Sequence, residues 1–542
     1  MKLSFIRLSP WQIAFWALIL IISLPLLRIL ASWFEPSSDI WLHLYQTRLS
    51  GIISNTLLLL FGVAIGVTLL GVALAWTVSL CEFPGRKLLE WLLFLPFALP
   101  AYVIGFIYLG VFDFPGPVQT WLRDTLGWAG LDIRAYGLTL VIVMTLVLYP
   151  YVYMLARTAF YAQNSALIES ARLMGMNAWQ VFWKVSLPLA RPAIAAGAML
   201  ALMETLADFG TVTLYNYATL TSAIFSVWED FRSLQVAAQL STLLLVIAVL
   251  LIFIERFSRG RARYDSRHRI TYRPYKLKGI VAWSVTAAIS LVVFLAFVLP
   301  LVQLVIWAWQ AYSLEWDNRY FGWMSNTFTL AGIAALLTVS LAIILNAVKR
   351  HTRLSLISRA GLRFANLGYA LPGSVLAVGI MLLIIEMGEK IAPGYGIWLS
   401  SGVLALLLAY TVRFLAVAYG PIESHFDTIT PSMVEAARSL GANQQQLIGR
   451  IYLPILKPGL IVAAFMVAVD VMKELPATYL LRPYGWDTLA IRVYELSSEG
   501  LYEQAALPAL MLLGLGLIAL LGVAIINKHY QSSRTKNPEP FA

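Results

Sequence analysis

The sequence predicts an all-α integral membrane protein of two tandem six-helix halves, about 12 transmembrane helices in all, on three observations. Of 542 residues, 60% are hydrophobic and only 12% charged, with a mean hydropathy of +0.77. Soluble chains carry about 25% charged residues, so the natural solvent is lipid. Apolar runs of about 20 residues recur along the chain, the length a bilayer requires of a helix. The stretch Glu169–Pro188 recurs 266 residues later as Glu435–Pro454.

Composition excludes several classes. The single cysteine, Cys81, forms no intrachain disulfide, so there is no disulfide framework. The net charge of +11 belongs with basic loops on the inner side of a membrane rather than with nucleic acid. The run Trp11–Phe34 is too long for a signal h-region and no small-residue cleavage pattern follows it, so it reads as an uncleaved first span.

The first six spans are expected near 11–34, 52–80, 88–112, 135–158, 192–210 and 236–257. The second six are expected near 280–309, 325–348, 364–386, 397–418, 457–475 and 504–527. Each satisfies its backbone internally only as a helix. Pro96 and Pro100 predict a kink in the third. With the N-terminus inside, and with Arg256 and Lys457 at the span edges counted as cytoplasmic, 27 of the 39 Lys and Arg fall on the cytoplasmic side, 8 outside and 4 (Arg28, Arg157, Arg413, Lys473) within spans. This bias predicts a multi-pass protein with both termini cytoplasmic.

The expected domains are a first half over 1–257, a basic cytoplasmic linker over 258–279, a second half over 280–527 and a cytoplasmic tail over 528–542. From Arg256 to Lys278 stand nine basic residues. They read either as a site for anionic headgroups or as a linker holding the topology. Six spans per half is an even number, so the halves enter and leave on the same side. They are therefore expected to be related by a parallel pseudo-twofold axis with a pathway between them.

The duplicated loop, about 160–190 and again about 426–456, carries the strongest signal. Glu169 to Gly175 and Glu435 to Gly441 are both six residues; Gly175 to Pro188 and Gly441 to Pro454 are both thirteen. Two short helices around a glycine turn are expected, with Gly175 and Gly441 left-handed. Pro188 and Pro454 are expected to end the second short helix. Ser432 and Glu435 have capping-box spacing in the second copy; the first has Ala166 there. Asn55-Thr56 with Asn326-Thr327, and Ala98-Leu99-Pro100 with Ala370-Leu371-Pro372, repeat at nearby offsets.

Acids inside the membrane are functional candidates by default. Glu204 and Asp208 lie in the fifth span, Asp470 and Glu474 in the eleventh, each pair four apart and the pairs 266 apart. Carboxylates suit hard, oxygen-seeking cations, so the four are candidate pathway residues, with Tyr215 and Tyr217 as further oxygen donors. The alternative is structural: acids near span ends pair with neighbours, and Lys473 stands beside Glu474. The five histidines are scattered without metal-ligand spacing, so no metal site is assigned. No catalytic residue is expected, and no G-x-x-x-x-G-K-[ST] phosphate loop occurs.

The second copy, E-A-A-R-S-L-G-A-N-Q-Q-Q-L-I-G-R-I-Y-L-P, resembles in full the EAA loop of bacterial binding-protein-dependent ABC importer permeases. The first copy departs at Ser170 and Val185. This resemblance implies a type I importer permease fold in the bacterial inner membrane. It also implies that the loops are coupling helices, each seated on one ATPase subunit. Glu169, Ala171, Gly175, Pro188, Glu435, Ala437, Gly441 and Pro454 are the coupling-loop residues so identified. The implied partners are two copies of a separate ABC ATPase, which uses ATP and Mg, a periplasmic substrate-binding protein and membrane lipids. No cofactor is expected on this chain. The stretches Glu204–Val212, Lys473–Thr478 and Arg482–Ala490 are similar to the fused ferric-iron permeases. That similarity implies Fe(III) as cargo, with thiamine, polyamine or phosphonate as alternatives. An ion-gradient-driven secondary transporter would have no need of the paired loops.

Overall fold

A computed structural model describes residues 10–35, 39–128, 130, 132–134, 137–163, 165–259, 274–315, 318–351, 361, 371–391 and 402–536. Ten helices among them are long and apolar enough to cross a membrane, and they stand at the expected spans one to eight, ten and eleven. Helices Gly373–Ile391 and Tyr502–Lys536 stand at the places of spans nine and twelve. The start of span nine with Ala370, most of the basic linker and the last six residues lie outside the described part.

The compact units cut across the repeat. One comprises Ser37–Trp316 with Val493–Leu513; the other comprises Met1–Pro36, Asp317–Arg492 and Gly514–Ala542. Span seven therefore belongs with the first half's helices and span one with the second's. The linker leaves and rejoins the same unit.

In the unit around 37–316, span two (Leu49–Leu80), span four (Leu138–Tyr161) and span five form the centre. Close approach depends on small residues, as lipid-embedded packing requires. A Cβ on Gly71 would meet Val152 Cβ at 2.7 Å, and one on Gly197 would meet Val152 Cα at 2.7 Å. The third span is broken rather than kinked. A helix over Arg86–Leu92, a 3-10 turn over Leu95–Ala98 and a helix over Ala101–Phe112 follow one another. The prolines remove the N–H groups that would make them continuous. Span seven packs on this helix, with the Tyr108 hydroxyl donating to the Leu295 carbonyl at 2.9 Å.

In the other unit, span one (Pro10–Ala31) packs along Gly373–Ile391. A Cβ on Gly379 would meet the Pro25 carbonyl at 2.6 Å. Arg28 donates to Glu35 at 2.7 Å and to Glu386 at 3.0 Å. Span eight (Asn318–His351), span ten (Val403–Phe426) and span eleven form the centre.

The Asn-Thr pairs do the same work in both units. Thr56 Oγ1 accepts from the Leu220 N–H and Thr327 Oγ1 from the Leu489 N–H, both at 3.0 Å. The Asn55 amide donates to the Ala218 carbonyl, and the Asn326 amide to those of Gly485 and Asp487.

Candidate coupling loops and acidic corners

Each unit carries one copy of the duplicated loop. The first begins with a helix over Ser165–Leu173, the second with one over Pro431–Ser439. Gly175 and Gly441 follow at φ +82° and +80°, a region L side chains enter only with strain. The Met176 N–H reaches back to Ala171 O at 3.1 Å and the Ala442 N–H to Ala437 O at 3.0 Å, closing both helices in the same C-terminal motif.

The capping differs from the expected pattern. Ser432 lies inside its helix. The cap is Thr430, whose hydroxyl accepts from the Met433 N–H, because Pro431 takes the first helical position. The capping boxes sit after the glycine turn instead, as Asn177 with Gln180 and Asn443 with Gln446.

Pro188 and Pro454 do not end a helix. Continuous helical segments run over Ala178–Ala207 and Gln445–Lys473. A wide π turn at Phe182–Ser186 and at Ile448–Tyr452 precedes each proline. The π turn shifts the hydrogen-bond ladder by one residue just where proline supplies no donor.

Ile168, Ala171 and Val181 are buried against Leu80, and Val434 and Leu447 are buried in the second loop. Glu169, Gly175, Glu435 and Gly441 are exposed, and Ala437 is half-buried. Leu167 and Met174, with Met433 and Leu440 at the equivalent places, present apolar side chains to the surface.

The acids stand at corners. The long helices end at Ala207 and Lys473. Asp208 and Glu474 therefore do not share a helix face with Glu204 and Asp470. Both turn extended, with φ/ψ of −68°/127° and −69°/121°, and both cap the short helix that follows. Asp208 Oδ2 accepts from Thr211 Oγ1 at 2.8 Å and Oδ1 from the Val212 N–H at 3.1 Å.

Glu474 is more fully engaged. Its Oε1 accepts from the Ala477 N–H at 2.9 Å and from the Arg413 guanidinium at 3.2 Å. Its Oε2 accepts from the Thr478 N–H and hydroxyl at 2.9 and 2.6 Å. Its side chain is 1% exposed. Val147 stands 266 residues before Arg413, so the first corner has no cation at that place. Arg413 is the partner sequence reasoning missed; its signal was a lone basic residue inside a span.

Glu204, Asp470 and Lys473 are half-buried. Tyr215 and Tyr217 point their hydroxyls at the backbone carbonyls of Gly105 and Asn55, both at 3.4 Å. Among the described residues no group of three or more His, Cys, Asp or Glu is placed to hold a metal ion.

Residues 67–263 and 339–532, which include both loops and both corners, match the family described as binding-protein-dependent transport system inner membrane component. A relative, the Fe(3+)-transport system permease protein FbpB 2 of Haemophilus influenzae, is 28% identical over 86% of this chain and 88% of its own length. The Escherichia coli molybdenum transport system permease protein ModB is 29% identical over 35% of this chain and 87% of its own. The E. coli sulfate transport system permease protein CysW is 32% identical over 35% and 67%.

Proposed function

Since the chain belongs to the family of binding-protein-dependent transport system inner membrane components, we propose that it is an ABC importer permease carrying ferric iron. The observation that carries the coupling role is the duplicated loop. Two turns with the same backbone, one on each compact unit, hold exposed apolar residues at matching positions.

In this reading a separate ATPase supplies hydrolysis, in two copies, one on each loop. ATP binding draws the two ATPase subunits together and the loops carry that motion into the two units. The units alternate between outward and inward access, a shift between two populated states. The loops and both termini face the cytoplasm, and a periplasmic binding protein delivers cargo to the other side. Glu169, Ala171, Gly175 and Pro188, with Glu435, Ala437, Gly441 and Pro454, shape the two levers.

Ferric iron is supported by a relative whose match covers 86% of this chain, and so both halves. Intramembrane carboxylates suit a hard cation. Glu204 and Asp470 are the proposed path acids. Asp208 and Glu474 hold the corners beside them, where their oxygens accept from the short helices.

The test is reconstitution with the ATPase and the binding protein, following uptake of labelled iron. ATP-dependent uptake of Fe(III), and none of molybdate or sulfate, is the expected result. Uptake of an oxyanion instead would overturn the cargo, and uptake driven by an ion gradient without ATP would overturn the mechanism.

A further inference from the structure

The last described residues of the basic linker return to the first coupling loop. Strand β2 (Tyr275–Lys276) pairs in parallel with β1 (Cys81–Glu82), Cys81 opposite Tyr275, and the Leu277 N–H donates to Glu82 O at 3.1 Å. So short a ladder is not stable alone; side chains hold it. Tyr275 packs on the buried group of Leu80, Ile168, Ala171 and Val181. The Arg172 guanidinium lies 3.6 Å from the Tyr275 ring centroid, within cation–π range. A few residues on, span seven begins, and the Thr286 hydroxyl donates to the Pro84 carbonyl at 3.0 Å.

The second loop is fastened differently. Arg438 and Ala437 stand where Arg172 and Ala171 stand in the first. Arg438 is exposed and Ala437 half-buried, whereas Arg172 is half-buried and Ala171 only 2% exposed. Among the described residues the second loop is held by Arg350, which donates to the carbonyls of Phe426 and Ile429 ahead of the loop's first helix.

We propose that Tyr275 is a positioning residue for energy coupling. The linker end is a brace that makes the first coupling loop one piece with the root of span seven, so the two ATPase subunits push on unequal levers. This rests on the reading of the loops as ATPase contacts. The brace carries displacement of the first loop directly into span seven; without it, part of that displacement is lost in movement of the loop on its own stem.

The experiment uses the assembled transporter in proteoliposomes and reads both ATP hydrolysis and uptake. Tyr275→Phe, which keeps the ring face, is expected to match the parent. Tyr275→Ala is expected to hydrolyse ATP at the parent rate while uptake falls several-fold. The chain has one cysteine, Cys81, opposite residue 275. Tyr275→Cys is therefore expected to behave like the Ala variant when reduced and to regain uptake when mild oxidation joins it to Cys81. An Ala variant at normal abundance with an unchanged uptake-to-hydrolysis ratio overturns the proposal. So does a Tyr275→Cys protein that fails to cross-link, or that stays impaired once cross-linked; this variant decides the matter if the Ala protein does not accumulate. Failure of the underlying reading is distinguishable, because a cysteine at Leu167 would then not cross-link to the ATPase whatever stands at 275.

Discussion

The Arg413 guanidinium donates to Glu474 Oε1 at 3.2 Å inside span ten's packing against the eleventh-span corner. The two side chains are 11% and 1% exposed, and a Cβ on Gly373 would collide with both. An ion pair this enclosed is not a flexible cargo ligand. Its carboxylate also caps a helix, so the charge, the cap and the corner form one unit.

Removing either partner strands the other's charge, at a cost of about 3–5 kcal/mol. Arg413→Met and Glu474→Gln are therefore expected to lower the unfolding temperature of the detergent-solubilised protein clearly. Asp208→Asn is expected to lower it less, since an amide oxygen still accepts from the Val212 N–H and no cation stands at Val147. Equal losses at the two corners, read by thermal unfolding, would contradict this assignment.

The glycine turns make a conformational prediction. A Cβ on Gly175 or Gly441 meets nothing within 4 Å, so the obstacle is φ alone. Left-handed backbone costs an ordinary L residue about 1–2 kcal/mol, more for a β-branched one. Gly441→Val is expected to cut uptake at normal membrane abundance. Gly441→Asn is expected to retain most of it, because Asn tolerates this region. Uptake assays on the two, normalised to abundance, decide between a geometric and a steric origin.

The two threonine acceptors are expected to be interchangeable with serine but not with valine. Thr56→Val and Thr327→Val each leave a buried helix N–H without its acceptor, worth about 1–3 kcal/mol. Thr56→Ser and Thr327→Ser are expected to unfold with the parent. Thermal unfolding of the four variants checks the shared role of Leu220 and Leu489.

The spans, the duplication and the glycine turns were legible in the sequence because they rest on local hydrophobicity, spacing and backbone chirality. Capping was misread at Ser432 because the S-x-x-E spacing is satisfied on paper, while Pro431 shifts the helix start and gives Thr430 the cap. The Asn-x-x-Gln spacing at 177 and 443 is equally local and equally legible. The corners were not legible. That Glu474 also pairs with Arg413, sixty-one residues away, is a tertiary contact that no local pattern announces. The exchange of spans one and seven between the compact units likewise depends on tertiary packing that repeat boundaries do not encode.

The most direct test of the account asks which side of the membrane the levers face. In a Cys81→Ser background, Leu440→Cys and Met174→Cys are treated with a membrane-impermeant thiol reagent. Labelling in inverted vesicles only, and its suppression when the ATPase is bound, is the result predicted. Labelling of either position in intact spheroplasts would contradict the coupling role of both loops.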